Sequence, residues 1–349
     1  MTAQVQLSNA SRRIAQHYQA DDVPWFLGFS GGKDSCLLVA AVYNALLAME
    51  AATKTVTVMY CDTGVEIPTV ADYVHKQLAR LSAHARADGV PLSIRVVSPR
   101  VTDTFFVKVI GAGYVPPTNK FRWCTDRLRV GPVRRGMKES HKEECLMLLG
   151  TRWAESETRS RTLARFSIDG DYFFRQAGNR LATIFAPISQ FTTRDVWRAI
   201  HSTGMPECLD VDSLSTLYRA AGGPGCSGDC ALCEQCTGGR FGCWVCTVVR
   251  KDRAVENMIS RGFPELAPLL EFRNWLSHIR DDGDYRCTTR RNGEPGLGPF
   301  TLDARSEILR RLRETEHDFG LRLVSDLELA EIATIWRSDE AASGYTSRV

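Results

Sequence analysis

The sequence has no apolar run near the roughly 20 residues that a membrane-spanning helix needs. That excludes a helical span, and no membrane partner is expected. Its first residues, MTAQVQLSNASRRIAQHY, lack the charged-then-apolar layout of a secretory leader and read as polar and amphipathic. The expected location is the cytoplasm. A charge excess is also missing: 44 Lys and Arg stand against 41 Asp and Glu, a net +3. Bulk charge therefore implies no polyanionic partner. Local clusters such as Arg159-Ser160-Arg161 and Arg310-Arg311-Leu312-Arg313 say more, although a solvated helix face explains such runs more often than DNA does. Internal repeats and long low-complexity linkers are absent too.

What is present is enough chain, 349 residues, for one large or two modest domains. Val23–Ser30 reads as a buried strand, and Asp34–Ala52 is apolar at helical spacing. Thr55–Cys61 is a second strand and Ile67–Ala87 a second helix. Leu92–Ser98 and Cys145–Leu149 are further strands. Strands alternating with helices predict an α/β fold, a doubly wound and mostly parallel sheet. Ligands of such sheets bind at the carboxyl ends of the strands. Gly31, Gly32, Asp62 and Gly64 all sit at such ends. Thr192–His201 reads as a capped helix, and Lys251–Arg280 and Asp303–Trp336 as helical. The expected organisation is an α/β domain over 1–205, a cysteine-rich segment over 206–250 and a helical region over 251–349.

The segment FLGFSGGKDSCLL, Phe26 to Leu38, lacks the first glycine of a Walker A motif, since Leu27 stands there. The physics of phosphate binding is shared. Glycines let backbone N–H groups approach an anion, and the helix that follows offers its positive end. Lys33 adds charge, Ser30 and Ser35 add hydroxyls, and Asp34 could hold Mg²⁺. The bland alternative is a plain glycine turn.

Cysteine is abundant, twelve in all, with six between Cys226 and Cys246. A cytoplasmic chain should not use them as a disulfide framework. Crowded thiols there point to metal, cluster or sulfur chemistry. The run is Cys226-x3-Cys230-x2-Cys233-x2-Cys236-x6-Cys243-x2-Cys246, with no histidine inside it. Four thiolates suit zinc or a [4Fe–4S] cluster, and spacing alone does not choose between them.

SGGKDS is the signature of the PP-loop, or N-type ATP pyrophosphatase, family. The resemblance implies ATP cleavage between the α and β phosphates, with Ser30, Gly31, Gly32, Lys33, Asp34 and Ser35 gripping the pyrophosphate. Tyr60-Cys-Asp-Thr-Gly-Val-Glu-Ile-Pro resembles the DTGxExP segment of the sulfonucleotide-handling branch of that family. There Asp62, with Gly64 in its turn, would lie near the nucleotide or its metal. A strand-end cap and turn is the bland reading. Gly150-Thr-Arg-Trp-Ala-Glu-Ser-Glu-Thr-Arg159 resembles that branch's GxRxxES-x-x-R segment. Gly150, Arg152 and Arg159 would then meet the nucleotide, the arginines through paired donors to phosphate. A surface arginine–glutamate network is the rival reading. Lys33 and the lack of a Cys-Gly-x-His tail after Cys287, the last cysteine, argue against an adenylyl sulfate reductase. Arg122-Trp-Cys-Thr-Asp-Arg-Leu-Arg-Val-Gly-Pro resembles the ligand segment of cluster-bearing reductases. It implies the ligand set Cys124, Cys236, Cys243 and Cys246. Cys226, Cys230 and Cys233 are then spare, to replace a ligand, bind a second metal or carry a persulfide.

Leu217–Gly223, Gly238–Asp252, Pro268–Leu276 and Arg290–Phe300 resemble the DndC-type sulfurtransferases of bacterial DNA phosphorothioation. At 349 residues the chain looks like the short form of the single-strand systems (SspD-type). The resemblance implies ATP and Mg²⁺ at the loop, a DNA phosphodiester as acceptor, a cysteine desulfurase as sulfur source and other subunits of the system as partners. Rivals are a tRNA thiolase of the same family, the ATP-using subunit of sulfate adenylyltransferase, and a non-catalytic ATP- or redox-sensing scaffold.

Overall fold

The computed structural model describes residues 2–140, 144–170, 172–175, 182–202, 204–222 and 241–343. The chain forms two compact units that interleave along the sequence. The first comprises Met1–Cys61, Pro68–Val97 and Arg135–Phe241; the second comprises Asp62–Ile67, Ser98–Arg134 and Gly242–Val349.

The first unit is built on one seven-stranded sheet in the order β3-β2-β1-β4-β7-β6-β5. β1 (Trp25–Phe29), β2 (Val56–Cys61), β3 (Leu92–Val97) and β4 (Cys145–Leu148) match the four strands expected, and β7 (Ala182–Phe185) extends them. Pairing is parallel from β3 through β7. β6 (Phe173–Arg175) and β5 (Ser167–Asp169) add an antiparallel edge. The mostly parallel α/β expectation is therefore correct. The antiparallel edge was not expected, because two of its strands are only three residues long and show no readable alternation.

β1 is apolar along its length because a central parallel strand is covered on both faces; Trp25, Phe26 and Leu27 are at most 1% exposed. α2 (Lys33–Leu47) is apolar nearly all round and correspondingly buried. α1 (Ala3–Tyr18) and α6 (Thr193–Ile200) pack on it. α6 opens with a capping box: the Thr192 hydroxyl accepts the Asp195 N–H, and the Asp195 carboxylate accepts the Thr192 N–H at 2.9 Å. α3 (Pro68–Ala87) lies against β3 and α7 (Val211–Ala221).

The second unit is mainly helical. α9 (Ala267–Ile279) packs on α10 (Leu302–Phe319), and α11 (Asp326–Ser343) on a π-helical turn, Val107–Gly111. Trp244 joins Phe106 and Phe272 in its aromatic core, with ring centroids 6.1 and 5.7 Å away. The helical C-terminal part is as expected. Among the described residues, no helix is long and apolar enough to cross a membrane.

The α10–α11 connection turns on Gly320, at φ 79°, and on Glu316. Glu316 Oε1 accepts the N–H groups of Leu323 and Val324 at 2.6 and 2.9 Å, and Oε2 accepts from Arg313 at 2.6 Å. Burial pushes the Glu316 pKa up, and the Arg313 guanidinium with the two N–H groups more than reverses that, so the net shift is downward. A depressed carboxylate contributes stability that is complete above the ordinary glutamate value and lost as pH falls through the depressed one. Glu316→Gln should cost about 1–3 kcal/mol at neutral pH in urea unfolding. The gap between variant and wild type should narrow as the buffer is acidified below the usual glutamate range.

Candidate functional site

Two constellations stand out, one in each unit. In the first unit, β1 ends at Phe29 and the chain turns through Ser30–Gly32 into α2. Gly31 sits at φ 71°, the left-handed region. A Cβ there would come within 2.2 Å of the Val74 side chain. Only glycine supplies that geometry without strain. Gly150 is crowded in the same way, since a Cβ on it would lie 2.8 Å from the Asp34 carbonyl oxygen. β4 can thus deliver its following residues against the loop backbone.

The loop is cross-tied by its own serines. Ser35 Oγ accepts the Ser30 N–H at 3.2 Å and donates to the Gly32 carbonyl at 2.9 Å. The Lys33 N–H donates to the Tyr218 hydroxyl at 3.2 Å, and the Lys33 ammonium lies 5.4 Å from the centre of that ring. Burial raises the Tyr218 pKa, so its hydroxyl stays protonated.

Arg152 is 2% exposed. A guanidinium so buried must be paired. Its Nε donates to Asp34 Oδ1 at 2.8 Å, its Nη1 to the Phe191 carbonyl at 3.1 Å, and its Nη2 to Thr193 Oγ1 at 3.4 Å. Asp34 Oδ2 receives the Lys33 ammonium at 3.3 Å. Asp34 thus links two cations, and Mg²⁺ at this carboxylate would have to displace Lys33 from Oδ2. Ser30, Gly31, Gly32, Lys33, Asp34, Ser35, Gly150 and Arg152 come together as one structure. Arg159 stands apart on α5 (Glu157–Phe166), half exposed, and pairs with Glu155 at 3.1 Å. The sequence did not single out Tyr218 or Thr193. Tyr218 lies inside one of the resemblance blocks, which was the available signal.

Asp62 and Gly64 belong to the second unit. Asp62 Oδ1 accepts the Gly64 N–H at 2.9 Å, and Gly64 takes φ 74°. This is the strand-end turn that Asp-Thr-Gly favours. Two residues on, the Glu66 carboxylate accepts the Thr63 N–H at 3.1 Å and the Thr63 hydroxyl at 2.7 Å. Burial raises the Glu66 pKa.

Glu66 also bridges to Cys243 through the backbone, and Trp244 donates its N–H to the Val65 carbonyl at 3.0 Å. The thiol segment is therefore stitched to the Asp62–Ile67 segment. Arg273, 1% exposed, donates to the carbonyls of Cys246 at 2.8 Å and Arg250 at 3.2 Å, fixing the chain beyond it. The turn itself is closed by the Cys246 N–H, which donates to the Cys243 carbonyl at 2.9 Å.

Burial pushes the Cys243 thiol up to about 11, against the pull of Arg129, whose Nη2 is 3.7 Å from the sulfur. Burial and the neighbouring Cys246 push Cys124 up as well. Cys124, Cys243 and Cys246 are thus electrostatic neighbours. Thiolate donors suit zinc or a cluster, and at Cys124 and Cys243 a metal would replace protons that burial favours. Among the described residues, however, no three His, Cys, Asp or Glu side chains are arranged to hold a metal ion. Cys236, Cys226, Cys230 and Cys233 lie outside the described residues. Cys36, Cys145 and Cys208 are buried with raised pKa, as inert core thiols are.

A tight glycine turn from a parallel strand into a buried helix makes this an α/β protein with a strand–loop–helix site. The phosphoadenosine phosphosulfate reductase domain matches residues 24–248, and the chain belongs to that family. An uncharacterized protein of Methanocaldococcus jannaschii is 23% identical over 273 residues, 78% of this chain and 45% of the relative. The chain thus spans less than half of that relative's length. A phosphate complex of phosphoadenylyl-sulfate reductase from Candida auris matches with TM-score 0.36 and 15% identity, over 56% of this chain and 80% of the other. That likeness is too slight to argue from.

The close contact at Gly31 gives a direct check. Gly31→Ala should destabilise the protein by about 1–3 kcal/mol in thermal or urea unfolding. Adding Val74→Ala should recover the part due to collision and leave the part due to backbone strain.

Proposed function

We propose that the chain is a PP-loop ATP pyrophosphatase that serves as the sulfurtransferase of DNA phosphorothioation. The observation that carries the first half is the loop itself. Gly31 is in the left-handed region, Lys33 opens a buried helix, and Asp34 is tied to a buried arginine. Backbone N–H groups and a lysine at that place suit the departing pyrophosphate. The second half is supported by the resemblance of Gly238–Asp252, Pro268–Leu276 and Arg290–Phe300 to DndC-type proteins, and by the thiols of the second unit.

In this reading a nonbridging oxygen of a DNA phosphodiester attacks the α-phosphate of ATP. The bond to the β-phosphate breaks, and pyrophosphate leaves against Lys33 and the loop. The DNA phosphate now carries AMP as a leaving group. Sulfur supplied by a cysteine desulfurase attacks the same phosphorus and AMP departs. Where the sulfur arrives as a persulfide, a second thiol releases the carrier sulfur as a disulfide. Arg152 acts on this chemistry by holding Asp34 and so setting where Lys33 points. Mg²⁺, if held by Asp34 or Asp62, would supply charge neutralisation at the phosphates. A cluster or zinc at Cys124, Cys236, Cys243 and Cys246 would supply structure or a sulfur-handling centre. Other subunits of a phosphorothioation system are expected partners.

Protein purified without oxygen should release AMP and pyrophosphate from ATP and Mg²⁺. Lys33→Ala should lower that rate by roughly 10²-fold or more. Stimulation by DNA but not tRNA would favour phosphorothioation over tRNA thiolation. ADP and phosphate as products would rule out the α–β cleavage. Metal analysis gives an independent check on the thiols: the wild type should hold iron or zinc, and Cys243→Ser should lose most of it.

A further inference from the structure

A cavity of ≈ 350 Å³ in the second unit serves neither constellation. It opens between residues 113–123 and residues 286–299. Tyr114, Phe121 and Trp123 line it with aromatic rings, and Arg127, Arg286, Arg290 and Arg291 with guanidinium groups. No acidic side chain is among its described lining residues.

Two of the rings are fixed in place. Trp123 Nε1 donates to the Val115 carbonyl at 2.9 Å, and its ring stacks on Phe105 with centroids 5.9 Å apart. Tyr114 meets Trp123 edge-on at 5.5 Å. Phe121 is different: the residue is 46% exposed. The charges also divide. Arg127 is paired with Asp103, and Arg290 lies 3.8 Å from Glu294. Arg286 and Arg291 are held by carbonyl oxygens instead, Arg286 by those of Gly298, Leu297 and Arg280, and Arg291 by that of Ala112. Arg291 also lies over the Tyr114 ring, 4.4 Å from its centre. The wall therefore keeps positive charge beside exposed π surface.

A second, polar cavity of ≈ 710 Å³ adjoins it and is lined by Lys120, Arg250 and Arg280, with Asp281 paired to Arg280 at 2.6 Å. Thr118 of that cavity and Phe121 of the first exchange backbone hydrogen bonds at 3.1 and 3.2 Å. The Arg286–Arg280 bond joins the other wall. An aromatic slot that continues into a cationic trough is the pairing that single-stranded nucleic acid needs. Base faces stack on rings, and phosphates follow the cations. A duplex hides those base faces inside its own stack.

We propose that these adjoining cavities form a track for single-stranded nucleic acid, with a base on the exposed Phe121 ring and its neighbouring phosphates toward Lys120 and Arg250. The track rests on the proposed function only in the choice of DNA over RNA.

Fluorescence anisotropy of full-length protein without ATP tests it. The probe is a short labelled oligodeoxynucleotide, compared with its duplex and with the ribo-oligonucleotide of the same sequence. The single strand should bind more tightly than the duplex. Phe121→Ala should weaken it about tenfold. Arg291→Ala should reduce the slope of log affinity against log salt by about 0.7. Both residues are exposed, and circular dichroism should show unchanged folding. Equal affinity for duplex and single strand, or wild-type binding by both variants, would overturn the track. Tighter binding of the ribo strand would keep the track and overturn the choice of DNA. Lys33→Ala should bind the strand like wild type. Absent pyrophosphate release with this pattern intact would therefore count against the ATP reading alone.

Discussion

The phosphate loop depends on a buried charge. Arg152 is among the largest fully buried side chains of the protein. A guanidinium removed from water costs several kcal/mol unless it finds both a counter-charge and partners for its remaining donors. Asp34 supplies the charge, and the Phe191 carbonyl and the Thr193 hydroxyl accept from two more nitrogens. One requirement thereby ties four pieces of chain together: the start of α2, the residues after β4, the Ile188–Phe191 turn and the start of α6. Lys33 follows, because its ammonium completes Asp34. Removing Arg152 would do more than delete a cation. It would leave the loop's carboxylate to Lys33 alone.

The thiol segment rests on a different buried arginine. Arg273 spends its donors on main-chain carbonyls at Cys246, Val249 and Arg250. Burial pulls its pKa down, with Asp252 opposing. Carbonyls around a cation need no carboxylate at the thiols, and that leaves Cys243 in a neighbourhood whose charges come from Arg129 and Glu66. Burial keeps the Cys243 thiol protonated. A soft metal is the natural competitor for that proton.

Much of the first unit was legible in the sequence. β1 to β4 are long enough, and apolar enough, to be read against their helices, and their carboxyl ends marked Ser30–Ser35 and Asp62. The edge strands were not legible, since three residues carry no period. Neither was the role of Tyr218. Its hydroxyl meets Lys33 across 185 positions of sequence, and no local pattern encodes such a meeting. Arg152 was singled out by resemblance as an arginine for phosphate, yet its burial and its pairing with Asp34 were not legible. Exposure depends on what folds over a residue, and here Thr193 and Phe191 come from beyond the antiparallel edge that the sequence did not announce.

The interleaving of the units is the least local property of all. The chain leaves the sheet at Cys61, gives Asp62–Ile67 to the second unit and returns at Pro68. A motif that reads as one stretch, Tyr60 to Pro68, is thus divided by the fold. Its middle pairs with the thiol turn through Val65–Trp244 and Glu66–Cys243. Its ends carry β2 and open α3. Those pairings give Asp-Thr-Gly-Val-Glu a structural reason to be one motif even before any residue in it touches a ligand.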